Sequence, residues 1–180
     1  MKTAVITFGR FNPITVGHEM LVNKVKGVAA SVSGTPLVFL SHSQDNNRNP
    51  LNYLVKFNLA QIAFGKCVVM SPLNNIIEIV KSLDADYDNI VFVGDKPRSE
   101  EFKVLLDRYN GVEYNFDTIE TVSAGDRDPD ADDISGMSAT KMRGYALNND
   151  LENFTLGLPL PLKIISKNVM ENVRKGMTNE

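Results

Sequence analysis

The sequence is poor in the residues that make covalent or metal cross-links. It contains one cysteine, two histidines and no tryptophan among 180 residues. Because Cys67 is alone, an intramolecular disulfide is excluded, and a reducing compartment is natural for the chain. The two histidines form no recognisable zinc-binding pattern with it. We therefore assign no residue of the sequence as a metal ligand.

Long apolar runs are also missing. No segment approaches the ~18 to 20 consecutive apolar residues that a membrane-spanning helix needs. Met1, Lys2 and Thr3 lead directly into the first predicted strand, without the apolar block of a signal peptide. These absences predict a soluble, cytoplasmic protein without a membrane partner.

Charge of one sign is not in excess. The 19 basic and 22 acidic residues give a formal net charge of -3. No global basic field is present, so we do not expect duplex nucleic acid as a partner. With 43% hydrophobic residues over this length, the chain can bury the core of one ordinary domain.

What the sequence does contain is a regular alternation of two patterns. Short apolar runs, several of them rich in β-branched residues, alternate with segments whose apolar residues recur at helical spacing. Strands are predicted at 4–8, 36–40, 67–70, 89–93 and 113–122, and helices at 17–30, 51–64, 74–83 and 99–109. This alternation predicts an α/β fold with a parallel sheet and right-handed crossovers. We expect a single domain over residues 1–180, with a core at 1–147 and a helical C-terminal extension at 148–180.

The first polar motif joins the first predicted strand to the first helix. The loop Gly9-Arg10-Phe11-Asn12-Pro13 precedes Thr15-Val16-Gly17-His18, which opens the helix. Unpaired N–H groups and the positive dipole end of a helix start attract anions, and Gly17 leaves room for a ligand to approach. Taken alone, Thr15 is equally well explained as a plain N-cap and His18 as a surface residue.

The second polar motif lies near residue 140. Ser138 is a good N-cap, and Thr140 and Arg143 are three residues apart on one face of the helix that Ser138 begins. Lys141 lies between them. This combination suits a triphosphate, because hydroxyl groups orient its oxygens while Lys and Arg neutralise their charge.

Both motifs resemble the signatures of one family. Thr15-Val16-Gly17-His18 is similar to T-x-G-H, and the stretch from Ser138 to Arg143 matches S-x-T-x-x-R. These are the two signatures of the nucleotidyltransferase superfamily that includes the class I aminoacyl-tRNA synthetases. The lead-in from Gly9 to Pro13 resembles nicotinamide-mononucleotide adenylyltransferases, and the Asn12 to Thr15 stretch is also similar to phosphopantetheine adenylyltransferase. The likeness covers residues 3–146 and extends to small phage-encoded proteins of this superfamily; Met137 departs from the family's usual isoleucine.

The resemblance implies a fold, a reaction and a set of residue roles. The fold is a Rossmann-like open sheet of about five strands in the order 3-2-1-4-5, with helices on both faces. The reaction is transfer of a nucleotidyl group from a nucleoside triphosphate, ATP first, to a phosphorylated acceptor, nicotinamide mononucleotide first. Mg²⁺ would be held by phosphates and water. By this likeness the catalytic residues are His18, Thr15, Lys141 and Arg143, and the nucleotide-binding residues are Gly9, Arg10, Phe11, Asn12, Gly17, Gly94, Asp95, Ser138 and Thr140.

The acceptor is less well defined than the reaction. Phosphopantetheine, or a phosphorylated small alcohol with CTP, are alternative substrates. The polar loop 41–49 follows the second predicted strand, at the edge where open α/β sheets bind ligands. We therefore predict that His42 and Arg48, together with Lys24, bind the acceptor; each is otherwise a solvated surface group. Self-association is compatible with the family, and a phage-encoded member would work in the host cytoplasm.

Two further questions stay open at this point. Five aspartates between 126 and 133 either face solvent or close over the site and hold a cation. The protein is either an enzyme or a nucleotide-binding or structural module without turnover. The sequence lacks G-x-x-x-x-G-K-S/T and G-x-G-x-x-G, which disfavours a P-loop hydrolase and a dinucleotide oxidoreductase.

Overall fold

The computed structural model describes residues 1–125 and 137–180. The strands in these ranges are β1 (Thr3–Gly9), β2 (Thr35–Leu40), β3 (Asn89–Gly94) and β4 (Thr118–Ser123). The helices are α1 (Val16–Ser31), α2 (Tyr53–Phe64), α3 (Ile76–Leu83), α4 (Lys96–Tyr109), α5 (Ala139–Leu147), α6 (Leu151–Leu156), α7 (Leu160–Lys163) and α8 (Ser166–Thr178). None of these helices is long and apolar enough to cross a membrane.

The chain divides into two compact units, each assembled from separated segments. The first unit comprises Met1–Phe8, Met20–Phe39 and Ser71–Asp126, and the second comprises Gly9–Glu19, Leu40–Met70 and Arg127–Glu180. Both polar motifs and the C-terminal residues therefore belong to the second unit. The prediction of one domain with a core at 1–147 stays a prediction.

The first unit is built on the sheet, whose strands lie in the order β2-β1-β3-β4. β1 pairs in parallel with β3, with Val5 opposite Val91, and β3 pairs in parallel with β4. β3 is buried over its whole length. A strand covered on both faces needs a continuous apolar run, and the residues from Ile90 to Val93 form that run. The predicted α/β fold with an open parallel sheet is confirmed.

Helices cover both faces of β3. Val91 and Val93 lie in one buried cluster with Val25 and Ala29 of α1. The intervening residue, Phe92, has its ring centre 4.7 Å from that of Phe102 on α4. Successive side chains of a strand point to opposite faces. Consequently α1 and α4 lie on opposite sides of the sheet.

The predicted third strand at 67–70 is not formed. Gly65–Cys67 are a 3-10 helix, and within the predicted strand Val68 makes only a single β-bridge. The apolar run is too short for a strand, because the turn takes Cys67 and the run ends at Ser71-Pro72, where proline supplies no N–H. The five-strand order 3-2-1-4-5 is therefore not confirmed. The four strands present keep the relative order of the first, second, fourth and fifth predicted strands.

The apolar residues of α2 are not all buried. Leu54 and Ile62 follow the apolar spacing but are 59% and 53% exposed. The buried residues of α2 are Lys56, Phe57, Leu59, Ala60 and Phe64, and Lys56, Ala60 and Phe64 lie at positions i, i+4 and i+8. Because a lysine belongs to the buried face, counting apolar residues alone misplaces part of that face.

The second unit is mainly helical and contains α2 and α5 to α8. Its fully buried side chains include Met142 of α5, Phe154 of α6 and Val173 of α8. At Gly176 a Cβ atom would collide with the carbonyl oxygen of Pro50, so glycine permits this close approach of α8. The C-terminal helix therefore packs against the segment that leads into α2.

Candidate functional site

The loop that follows β1 is fixed by Asn12 and Phe11, both buried. The Asn12 side chain donates from Nδ2 to the Leu51 carbonyl at 3.0 Å and accepts the Leu51 N–H on Oδ1 at 2.9 Å. Phe11 has a φ of 48°, a left-handed conformation that is uncommon for a residue with a side chain. Its ring centre lies 4.5 Å from that of His18. The lead-in to the first motif thus supports the histidine ring.

Thr15 and His18 form a reciprocal hydrogen-bonded pair at the start of α1. Thr15 Oγ1 accepts the His18 N–H at 3.3 Å, and the Thr15 N–H donates to His18 Nδ1 at 3.0 Å. Thr15 therefore acts as an N-cap. His18 is only 7% exposed, which excludes its interpretation as a surface residue. Because Nδ1 accepts a hydrogen bond, the neutral ring carries its proton on Nε2.

The start of α1 offers an anion fewer N–H donors than the motif suggests. The Val16 N–H donates to the Gly157 carbonyl at 2.8 Å, and the His18 N–H is used by Thr15. The residue after α6 thus occupies a donor that a phosphate was expected to use. An anion at this helix start needs additional help from basic side chains.

The second motif begins α5 as predicted. Ser138 Oγ accepts the Lys141 N–H at 3.2 Å and caps the helix. Arg143 Nη2 donates to Thr140 Oγ1 at 3.1 Å, so the two side chains share one face. Arg143 is 8% exposed, and its Nη1 donates to the Asn12 carbonyl at 2.9 Å. That bond joins the two sequence motifs across 131 positions of the chain.

The polar loop after β2 is an ordered turn built around Asp45. The Asp45 carboxylate accepts the N–H groups of Asn47 at 2.8 Å and Arg48 at 2.6 Å, and the Asn49 side-chain amide at 2.6 Å. These bonds hold the pKa of Asp45 well below its ordinary value. The bond from the Arg48 N–H has the largest effect, followed by those from the Asn49 side chain and the Asn47 N–H. Asp45 is therefore ionised at neutral pH, and it fixes the backbone at Arg48.

Four basic residues of the second unit, Arg10, Arg48, Lys56 and Arg143, form what we call the basic cluster. The pKa of Arg143 is lowered by burial first and then by the charge of Arg10; Arg48 lowers it further, and Asp45 opposes them. Burial, followed by the charge of Arg10, also lowers the pKa of Lys56, to about 8. Cations that repel one another in this way favour a bound anion with several negative charges.

An aromatic pair adjoins the basic cluster in sequence. The rings of His42 and Tyr53 are stacked, with centres 3.8 Å apart and planes 12° from parallel. Both residues are half-buried, and His42 follows Ser41, whose carbonyl accepts from Lys56. Stacked rings of this kind present flat apolar surface to a planar ligand. The predicted role of His42 in acceptor binding stays a prediction.

Several predicted site residues are not part of this arrangement. Lys24, Gly94 and Asp95 belong to the first unit. Asp95 caps α4 by accepting the Arg98 N–H at 2.9 Å, the Gly94 carbonyl accepts from Ser99 Oγ at 3.2 Å, and Lys24 is exposed. Asp95 thus has a structural role as an N-cap, and Lys24 is a surface group. The binding roles of Lys24, Gly94 and Asp95 stay predictions. The five aspartates at 126–133 lie outside the described residues.

Sequence reasoning missed Lys56. Its Nζ donates to the carbonyl oxygens of Arg10 and Ser41, both at 2.7 Å, and the residue is 1% exposed. The available signal was its spacing from Ala60 and Phe64, which places it on the same helix face as buried residues. A lysine on the buried face of a largely apolar helical segment indicates that its ammonium group has hydrogen-bond partners.

The predicted Mg²⁺ stays a prediction. Among the described residues, no three His, Cys, Asp or Glu side chains are grouped to hold a metal. The carboxylate of Asp45 already accepts hydrogen bonds on both oxygens. Mg²⁺ keeps several waters and is commonly bound through substrate phosphates. An Mg²⁺ ion would then depend on ligands from phosphate and water, as the resemblance implies.

A scan of the chain against models of protein families found no match, and a search of curated proteins found none either.

Proposed function

We propose that this protein is a nucleotidyltransferase that uses ATP as the donor and nicotinamide mononucleotide as the acceptor. The basic cluster carries the proposal: burial lowers the pKa of Arg143 first, and the positive charges of Arg10 and Arg48 lower it further, against the opposing charge of Asp45. A triphosphate relieves that repulsion through charge-assisted hydrogen bonds. The resemblance of the two motifs, joined by the bond from Arg143 to Asn12, supplies the reaction class.

The reaction needs no nucleophile from the protein. An oxygen of the acceptor phosphate attacks the α-phosphorus of ATP and forms the new P–O bond. The bond from the α-phosphorus to the bridging oxygen breaks, and pyrophosphate leaves with the electron pair. Catalysis then consists of aligning two anions and stabilising the charge that develops on the phosphate oxygens.

Each part of the site has a role in this scheme. Arg143 has five N–H donors, and the bonds to Asn12 and Thr140 hold its guanidinium in place. In our proposal its other donors bind the β- and γ-phosphates. Arg10, Arg48 and Lys141 add positive charge there. Mg²⁺, when bound with the nucleotide, neutralises further phosphate charge. The Nε2–H of His18 donates to the α-phosphate and to the bridging oxygen as charge builds on it.

The role of Thr15 changes from the one implied by the resemblance. Its hydroxyl accepts the His18 N–H, and its own N–H donates to the imidazole. In our proposal Thr15 therefore orients the His18 ring and selects its tautomer. Because the hydroxyl and the N–H of Thr15 both bond His18, Thr15 has fewer hydrogen-bonding groups left for a phosphate oxygen.

A second function, nucleotide binding without turnover, is favoured by one observation. His18 is buried, and the Val16 N–H beside it is taken by the Gly157 carbonyl. A histidine with so little exposed surface would need its surroundings to move before it could contact an α-phosphate. Under this alternative the basic cluster binds ATP, but no product forms.

A pyrophosphate-release screen separates these functions. Four nucleoside triphosphates are each combined with Mg²⁺ and with nicotinamide mononucleotide, phosphopantetheine or a phosphorylated small alcohol. We expect pyrophosphate only when ATP and nicotinamide mononucleotide are both present. Release without any acceptor would indicate a hydrolase. ATP binding without release in any mixture would support the binding function, and absence of both would contradict both proposals.

A further inference from the structure

Lys56 is a buried cation that bonds carbonyl groups in place of a carboxylate. Its Nζ donates to Arg10 O and Ser41 O at 2.7 Å each, and the residue is 1% exposed. Burying an ammonium without an ionised partner costs stability, and an apolar side chain of similar length would avoid that cost. Packing alone therefore does not explain a lysine at this position.

The two carbonyl groups belong to neighbouring loops that carry the basic cluster. The Ser41 N–H donates to the Gly9 carbonyl at 2.8 Å, which holds the two chain segments side by side. Lys56 bonds the next carbonyl along the first loop, that of Arg10, and the carbonyl of Ser41 itself. It thus extends the single backbone bond into a three-point connection between the loop after β1 and the loop after β2.

Fixing these carbonyl groups also fixes side chains. The Arg10 carbonyl and guanidinium leave the same residue, so holding one restricts the direction of the other. Beyond Arg10, the loop continues to Asn12, whose carbonyl accepts from Arg143. Beyond Ser41, the second loop continues to Arg48. Lys56 therefore lies where one side chain can set the positions of three arginines.

We infer that Lys56 is a positioning residue of the candidate site, which holds the loops after β1 and β2 in the arrangement that receives a polyphosphate. The inference rests on the proposed function, since it assumes that the basic cluster binds ATP. Lys56 belongs to the basic cluster through its charge, but in this scheme the arginines contact the phosphates and Lys56 does not; it acts through the backbone of Arg10 and Ser41.

The test compares three substitutions. Lys56→Met keeps the length of the side chain and removes its donors, whereas Lys56→Arg keeps donors for both carbonyl groups. Lys103→Met is the matched control, because Lys103 also donates to a carbonyl, that of Ile119 at 2.8 Å, in the first unit. Two quantities are measured for each protein: the affinity for ATP with Mg²⁺ by calorimetry, and amide hydrogen exchange in residues 9–13 and 41–49.

We expect Lys56→Met to weaken ATP binding about 10-fold or more, the size expected when hydrogen bonds of a charged donor are lost. Exchange should become faster in both loops. Lys56→Arg should restore most of the affinity and the protection, and Lys103→Met should change neither. Should Lys56→Met fail to fold, Lys56→Gln, which keeps a single donor group, takes its place in the same comparison.

Two results would overturn the inference and leave the proposed function intact. One is a folded Lys56→Met protein that binds ATP as tightly as the wild type. The other is unchanged exchange in both loops. By contrast, a wild-type protein that binds no ATP would remove the proposed function, and faster loop exchange in Lys56→Met would then still establish the connection between the loops.

Discussion

The backbone N–H of Thr15 donates to Nδ1 of His18 at 3.0 Å. This ring nitrogen cannot carry a proton while it accepts that bond, so the neutral imidazole is held with its proton on Nε2. In this tautomer Nε2 is the ring nitrogen that can donate a hydrogen bond. The two nitrogens of His18 therefore have different tasks, one structural and one proposed to be catalytic.

Replacing His18 by asparagine separates these tasks. The amide of asparagine reaches the place of Nδ1 and can still accept from Thr15, but nothing replaces Nε2. We expect His18→Asn and His18→Ala both to lower the transfer rate by about 10²-fold. Only the alanine protein should lose further stability, about 1 to 3 kcal/mol, because it leaves the buried Thr15 N–H unpaired. Pyrophosphate release and urea unfolding measure the two effects.

Near-normal turnover in His18→Asn would show that Nε2 has no part in the transition state. Rates that simply follow the stabilities of the two variants would indicate that His18 is only a packing residue.

Gly9 controls the position of the ring that supports His18. A Cβ at Gly9 would lie 3.0 Å from Cε2 of Phe11, and the Phe11 ring is buried against His18. We expect Gly9→Ala to displace this ring and to lower the transfer rate more than the affinity for ATP. Gly144→Ala on α5 is the control, because a Cβ there meets no atom within 4 Å.

Combining Gly9→Ala with Phe11→Leu tests whether displacement of the Phe11 ring causes the lower transfer rate. The smaller side chain frees space for the new methyl group, so the double variant should lose less activity than the two single effects predict. Full activity in Gly9→Ala, or strictly additive losses, would contradict this link between Gly9 and His18.

The lowered pKa of Lys56 predicts how the free energy of unfolding depends on pH. Its pKa is lowered from 10.5 to about 8, by burial first and then by the charge of Arg10. Between these two pH values the unfolded chain keeps a proton that the folded chain has released. The free energy of unfolding contributed by this residue therefore rises with pH through that interval. Urea unfolding from pH 7 to 10.5 should show the wild type gaining stability relative to Lys56→Met; a constant or falling difference would contradict the assignment.

The alternation of strands and helices could be predicted because local patterns determine it. β3 is apolar from Ile90 to Val93 because it is buried on both faces, and α4 begins where Asp95 can cap it. The failure at 67–70 has the same origin, since four apolar residues are compatible with a short strand or a buried turn. Only the contacts of the folded chain distinguish these two outcomes.

The local features of the candidate site could be predicted from the sequence, but the hydrogen bonds between distant segments could not. The cap at Ser138 and the shared face of Thr140 and Arg143 follow from helix spacing. The bond between Arg143 and Asn12 spans 131 positions, and that between Lys56 and Arg10 spans 46. Neither leaves a periodic signal in the sequence, because each depends on how distant segments pack.

A substitution of Arg10 can distinguish an effect on ligand binding from an effect on folding. Its side chain is exposed. After burial, its charge is the next cause that lowers the pKa of Lys56 and of Arg143. Replacing it by glutamine removes a repulsion, so the free energy of unfolding should stay the same or rise. Arg108→Gln, at an exposed position of α4 in the first unit, makes the same change in net charge and is the control.

The most direct test of a polyphosphate site is therefore the affinity of the wild type, Arg10→Gln and Arg108→Gln for ATP and for AMP. Calorimetry with Mg²⁺ at low and high salt provides all of these values. We predict that Arg10→Gln alone weakens ATP binding, by about 10-fold at low salt and less at high salt, with a smaller effect on AMP. Equal affinity of the wild type and Arg10→Gln for ATP, or a wild type that binds ATP no more tightly than AMP, would contradict the proposal that the basic cluster binds a triphosphate.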